Sequence, residues 1–190
     1  MSLIQDCEAI AAEVLETVKK NGAGNIQRQN EDFDDYADRM EIGQDVRSQA
    51  RKLADESLQF APNRQTAMLY SYAHYVKKLG SGRCQGQSCL AATMLLAKKY
   101  DCCTAIVEMS ATDQHMFVIA ANRDTFRTGS EVANLSPHPI IDCWLVLKLR
   151  SVGTVVKSGV FAARNHAAYL QKLEYSTKLD SVQRFTSPFE

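Results

Sequence analysis

The sequence predicts an α+β domain in which helices come first, short strands follow and a helix closes the chain. Three observations carry this reading. Apolar residues recur at helical spacing in separate stretches through the first hundred positions. After Asp101 the pattern changes to short β-branched runs bounded by polar turns. Near residue 160 helical spacing returns. With no internal repeat, the chain reads as one domain over 1–190. Residues 1–79 form a helical part with a polar loop at about 22–40, and residues 80–175 hold a further helix, an antiparallel sheet and the closing helix.

The first helix is expected over 3–20, where Leu3, Ile4, Cys7, Ile10, Ala11, Val14, Leu15 and Val18 share a face and Asn21-Gly22 supplies a stop. From Gly22 to Met40 the chain turns polar and acidic with isolated aromatics, and it reads as a long surface connection. A second helix is expected from Gln44 to Gln59 on Val46, Ala50, Leu53, Ala54 and Leu58. Pro62 then separates it from a third over Arg64 to Leu79, carrying Met68, Leu69, Tyr72, Ala73 and Val76. His74 lies off that stripe and reads as a surface histidine. A fourth helix follows the loop of Gly80, Ser81 and Gly82 and runs from Cys84 to Tyr100.

Strands are expected in C-C-T-A-I-V-E-M and in H-M-F-V-I-A-A. A third is expected in H-P-I-I-D-C-W-L-V-L-K-L and an edge strand around 152–157. Residues 160–174 return to helix through Val160, Phe161, Ala167, Tyr169, Leu170 and Leu173, and the polar tail from Tyr175 is expected to fray.

Composition excludes several classes. With 22 basic and 22 acidic side chains, the chain lacks the electrostatic footprint expected of a nucleic-acid or anionic-membrane partner. No apolar run approaches the roughly 20 residues of a membrane span. The N-terminal stretch has early acids and no basic n-region, so no Sec signal is expected. Six cysteines (Cys7, Cys84, Cys89, Cys102, Cys103, Cys143) are therefore expected as reduced thiols in a cytosol. Their C-x4-C and C-C spacings are not those of a zinc ribbon, so no metal is expected. Neither a phosphate loop nor a dinucleotide fingerprint is present, and no cofactor is implied.

The chemistry concentrates at Leu79–Lys98. A cysteine at a glycine-led helix start meets unpaired backbone N–H groups and the positive end of the helix dipole, which favour a thiolate and can hold an oxyanion. Cys84 stands at that position. Cys89 is the rival nucleophile, but five residues turn it about 140° around the helix and into its apolar part, so it reads as core. His115 starts a strand. Asp142 lies inside the apolar run I-I-D-C-W, where an ionised carboxylate needs a partner. His115 is the available one, and together the three supply nucleophile, base and orienting carboxylate.

G-R-C-Q-G-Q-S-C-L-A-A, Q-H-M-F-V-I-A and I-I-D-C-W resemble the papain-like and transglutaminase-like Cys-His-Asp superfamily over about 80–145, and in particular bacterial effector members that cleave, deamidate or crosslink host proteins. The resemblance implies a papain-like or transglutaminase-like fold, with Cys84 as nucleophile, His115 as base, Asp142 as orienter and Trp144 as the aromatic after the acid, a candidate for binding substrate. It further implies a protein substrate, a glutamine deamidase or transglutaminase ahead of a protease, and bacterial delivery into a host cell. Cys143 stands where the family often has proline. No glutamine lies the papain distance before Cys84, so Gln85 and Gln87 are the remaining side-chain candidates to assist its backbone N–H at an oxyanion. The competing class is a non-catalytic module that binds a partner through the acidic 30–39 segment or the N-terminal helices.

Overall fold

A computed structural model of the chain describes residues 2–28, 30–110 and 113–188. Among them, six helices combine with a five-stranded antiparallel sheet, an α+β arrangement. The helices are α1 (Leu3–Thr17), α2 (Phe33–Glu56), α3 (Arg64–Leu79), α4 (Cys84–Ala97), α5 (Cys143–Ser151) and α6 (Ala163–Lys172). The strands are β1 (Cys102–Ser110), β2 (Asp113–Ile119), β3 (Ile140–Ile141), β4 (Val160–Phe161) and β5 (Ser181–Phe185). Their order in the sheet is β4-β3-β2-β1-β5.

Alternation along β1 and β2 divides the core. Cys102, Val118 and Ala120 join the helical side, where Ile10, Val14, Val76, Leu90 and Leu95 are buried. Cys103, Ala105, Val107, Phe117 and Ile119 turn to the opposite face and pack with Trp144 and Leu145 of α5 and Leu170 of α6. Gly86 lets the first turn of α4 lie against α3, because a Cβ there would sit 2.8 Å from Val76 Cγ2.

Several elements differ from expectation. The acidic segment is helical from Phe33, since Asp32 caps α2 by accepting from Asp35 N–H and Asp34 and Asp35 complement its dipole. The third strand is only Ile140–Ile141. Asp142 then caps a helix, so it is not part of the strand expected through H-P-I-I-D-C-W-L-V-L-K-L. Residues 152–157 form no strand, and β4 takes the edge three residues later. Within the described residues the tail is not frayed: β5 pairs with β1 along Cys102–Ile106.

Candidate active site

Along β2, β3 pairs only with Val118 and Ile119, so among the described residues no strand covers that edge of β2 at its His115 end. The start of α4 covers it. The Cys84 thiol lies 3.8 Å from the Gln114 carbonyl oxygen, and Ser88 Oγ donates to the Met116 carbonyl at 2.9 Å. Four helical residues rise about 6 Å and two strand residues about 6.6 Å, so the two repeats stay in step. This match places Cys84 against the residue that precedes His115.

Cys84 is the first residue of α4, and its N-cap, Arg83, makes no side-chain capping bond. The first helical bond of α4 runs from Gln87 N–H to the Arg83 carbonyl, so the Cys84, Gln85 and Gly86 N–H groups precede the helical ladder. Cys84 is also the one partly exposed cysteine. The other five are buried, and burial pushes Cys7 up to about 11 and Cys89 up to about 12.

Behind the thiol, His115 Nε2 lies 2.6 Å from Asp142 Oδ2. A second histidine, His166 of α6, brings its own Nε2 within 2.7 Å of the same oxygen. The other carboxylate oxygen, Oδ1, accepts from Leu145 N–H at 2.9 Å. Three donors thus converge on one buried carboxylate. Burial alone would raise the Asp142 pKa, but the His115 charge and these hydrogen bonds hold it well below the ordinary range. Burial likewise presses on the His115 imidazolium. Asp142 overrides it and, with a further contribution from nearby Cys84, carries the pKa up to about 10. His166 goes the other way: burial prevails and its pKa falls below the ordinary value. One carboxylate balances one imidazolium.

Because both histidines spend Nε2 on Asp142, each leaves Nδ1 buried without a hydrogen-bond partner. His115 Nδ1 is therefore the ring nitrogen that Asp142 does not engage. Trp144 packs at a tilt against the His115 ring, 4.6 Å between centroids, and Tyr175 approaches it at 5.5 Å. Trp144 is 5% exposed and packs behind the histidine, so its contact is with the ring rather than with the cleft.

A cleft of about 370 Å³ opens at Cys84, lined by α2, Tyr72, residues 83–86, Asp113–Met116 and Asn25. Gln85 lines it, whereas Gln87 is buried and donates its amide to the Gly82 carbonyl at 2.5 Å. Asn25 is the unforeseen polar group here. Trp144 Nε1–H donates to its Oδ1 at 3.1 Å, which fixes the amide with Nδ2 as its remaining donor.

Cys84, His115 and Asp142 are thus brought together at one end of the sheet. His166 and Asn25 escaped sequence reasoning. His166 sits at the helical position four before Leu170 and beside Ala167, on the buried stripe, which was the available signal. His115, Asp142 and His166 also place three metal-ligating atoms within 4.8 Å. Both Nε2 atoms are engaged on Asp142 Oδ2, so an ion entering between them would have to displace both bonds. No family model, curated protein or solved structure matches this chain.

Proposed function

We propose that the protein is a thiol acyl-transfer enzyme acting on protein amides, with Cys84 as nucleophile, His115 as proton carrier and Asp142 as orienter. The supporting observation is the partly exposed thiol at an uncapped helix start, beside a histidine whose Nε2 is held by Asp142 and whose Nδ1 is free. Papain-like or transglutaminase-like kinship belongs to this proposal. It rests on the order of the three residues and their short flanking motifs.

In the reaction, Cys84 Sγ attacks a carboxamide carbon and the carbonyl oxygen becomes an oxyanion. The Cys84 N–H and the Asn25 amide are its donors. The C–N bond then breaks, and ammonia leaves with the proton from His115 Nδ1, giving a thioester. Water or a lysine amine next gives a proton to His115 Nδ1 as it attacks, and the C–S bond breaks. Water yields a glutamate and completes deamidation. A lysine yields an isopeptide bond.

Proteolysis is the second reading, and one feature favours it. Beyond Gln85, Ile106 and Met116 the cleft continues into an apolar groove of about 230 Å³ that reaches Met68, Leu69 and Phe185, which suits an extended polypeptide. Mass spectrometry of a protein extract treated with the enzyme separates the outcomes. A gain of about 1 Da at glutamine marks deamidation, loss of ammonia with a crosslink marks transamidation, and new termini mark proteolysis. If the wild type and Cys84→Ser leave identical extracts, the enzyme reading fails and the partner-binding module takes its place.

A further inference from the structure

The cleft beside Cys84 is asymmetric in charge. Arg47 and Arg51 line it from α2, four residues apart, and Arg83 lines it from the N-cap of α4. The same three guanidinium groups border a shallower depression that extends the cleft outward. Like charges at i and i+4 disfavour a helix. Yet among the described residues none of the three is in an ion pair; Asp55, one turn beyond Arg51, pairs with Arg64 instead. Among the described residues the one carboxylate lining the cleft is Asp113, whose two oxygens each lie 3.3 Å from the Tyr175 hydroxyl.

Two buried polar atoms at this wall lack a well-formed hydrogen bond. Tyr72 is 2% exposed and lines the cleft, and its hydroxyl makes no hydrogen bond of normal geometry. Arg83 Nε is buried with no acceptor. Burial pushes the Tyr72 phenol up, and the nearby Arg51 and Arg47 charges pull against it, so both guanidinium groups bear on that hydroxyl. Unsatisfied buried donors are uncommon because each costs free energy, and here both belong to residues that line the cleft together with the unpaired cations and the uncapped start of α4.

We infer that the Arg47–Arg51–Arg83 wall, with the Tyr72 hydroxyl, binds an anionic group of the substrate, a carboxylate or a phosphate, beside the amide presented to Cys84. Guanidinium forks suit the planar carboxylate and the phosphate alike. The substrate class is then an amide flanked by an acidic or phosphorylated residue. This placement rests on Cys84 being the nucleophile, whereas anion binding itself does not.

The test compares alkylation of Cys84 in the full chain by neutral iodoacetamide and by anionic iodoacetate. An ordinary thiolate repels the charged reagent. At Cys84 the iodoacetate-to-iodoacetamide rate ratio is expected about tenfold above that of glutathione, falling with added salt. Arg47→Gln with Arg51→Gln should return it toward the glutathione value, and the paired lysine substitutions should keep most of it. Because both side chains are exposed, these variants should fold, which circular dichroism checks. O-phosphoserine and N-acetylglutamate distinguish the sources: whichever slows iodoacetate in the wild type but not in the double variant identifies the anion. A ratio equal to glutathione's, a raised ratio that survives Arg→Gln, or protection by neither compound overturns the inference. Failure of the nucleophile assignment looks different: the iodoacetamide rate itself would be unchanged by His115→Ala.

Discussion

His115 and His166 approach the same oxygen of Asp142 through the same ring atom, Nε2, at 2.6 and 2.7 Å. Both rings are buried, and the second histidine comes from a helix that contributes nothing to the lining of the cleft. In the proposed enzyme His166 is a positioning residue: it helps hold the carboxylate that holds His115.

Replacing Asp142 by Asn tests that carboxylate. The amide oxygen can still cap α5 at Leu145 N–H, but its NH2 then confronts two Nε2 groups. Tautomer reversal would put a proton on His115 Nδ1 and prevent it from accepting one from Cys84. We expect the iodoacetamide rate near pH 7 to drop about tenfold or more, with a stability loss of about 2–4 kcal/mol in urea titration. An unchanged rate would remove Asp142 from the site.

His166→Phe keeps much of the ring volume against Phe117 and Phe161 but removes one donor from Asp142. A loss of about 1–3 kcal/mol is expected. The pH profile of Cys84 alkylation should also shift, and His166→Gln, whose side-chain amide can donate, should restore part of it. A purely structural His166 would lower the melting temperature and leave that profile in place.

Stability should pass through a maximum with pH. His115, raised from 6.5 to about 10 in the fold, stabilises fully below about 6.5, and its contribution disappears as pH rises toward 10. His166, lowered in the fold, opposes folding as pH falls below its unfolded value of 6.5. Asp142, also lowered, stabilises above its unfolded value of 3.8 and is lost in stronger acid. Urea midpoints across this range should decline on both sides. His115→Phe should flatten the alkaline limb, and an alkaline limb identical to the wild type's would refute the assignment.

Asn25→Ala separates oxyanion stabilisation from thiol activation. Acyl transfer is expected to slow about 10–100-fold while alkylation of Cys84, which develops no oxyanion, keeps its rate. Equal slowing of both reactions would mean that Asn25 acts only through Trp144 and the His115 ring behind it.

Much of this arrangement was legible because the chemistry conflicts with its surroundings. Asp142 stood out as a carboxylate in an apolar run, and Cys84 as a thiol after two glycines. Register and caps were harder to read. I-I-D-C-W-L-V-L-K-L suits a buried strand or a buried helix equally, and only the bond from Leu145 N–H to Asp142 shows that a helix begins there. His166 resembled any histidine beside alanines, because its role depends on a carboxylate 24 residues earlier in the chain. Arg47 and Arg51 lie off the apolar stripe of α2, and nothing in the sequence singles them out. Their neighbour Arg83 lies 32 positions beyond Arg51, and folding alone makes them one wall. The α2 start was misread because its early turns are poor in apolar residues, although Asp32 followed by two acids is a helix-start pattern.

Arg39, buried on α2, donates to the Asn21 and Ile26 carbonyls at 2.8 and 2.9 Å and pairs with Glu31, gathering the segment that carries Asn25. One turn later, Gly43 receives Gly24 so closely that a Cβ on Gly24 would lie 3.1 Å from Gly43 Cα. The next two turns bring Arg47 and Arg51. Residues 39, 43, 47 and 51 thus form a single graduated scale along one helix: the first two marks set where Asn25 stands, and the last two set where the arginine wall stands. A shift of α2 would move both together relative to Cys84, so the spacing between Asn25 and the paired arginines is a property of one helix rather than of several loops.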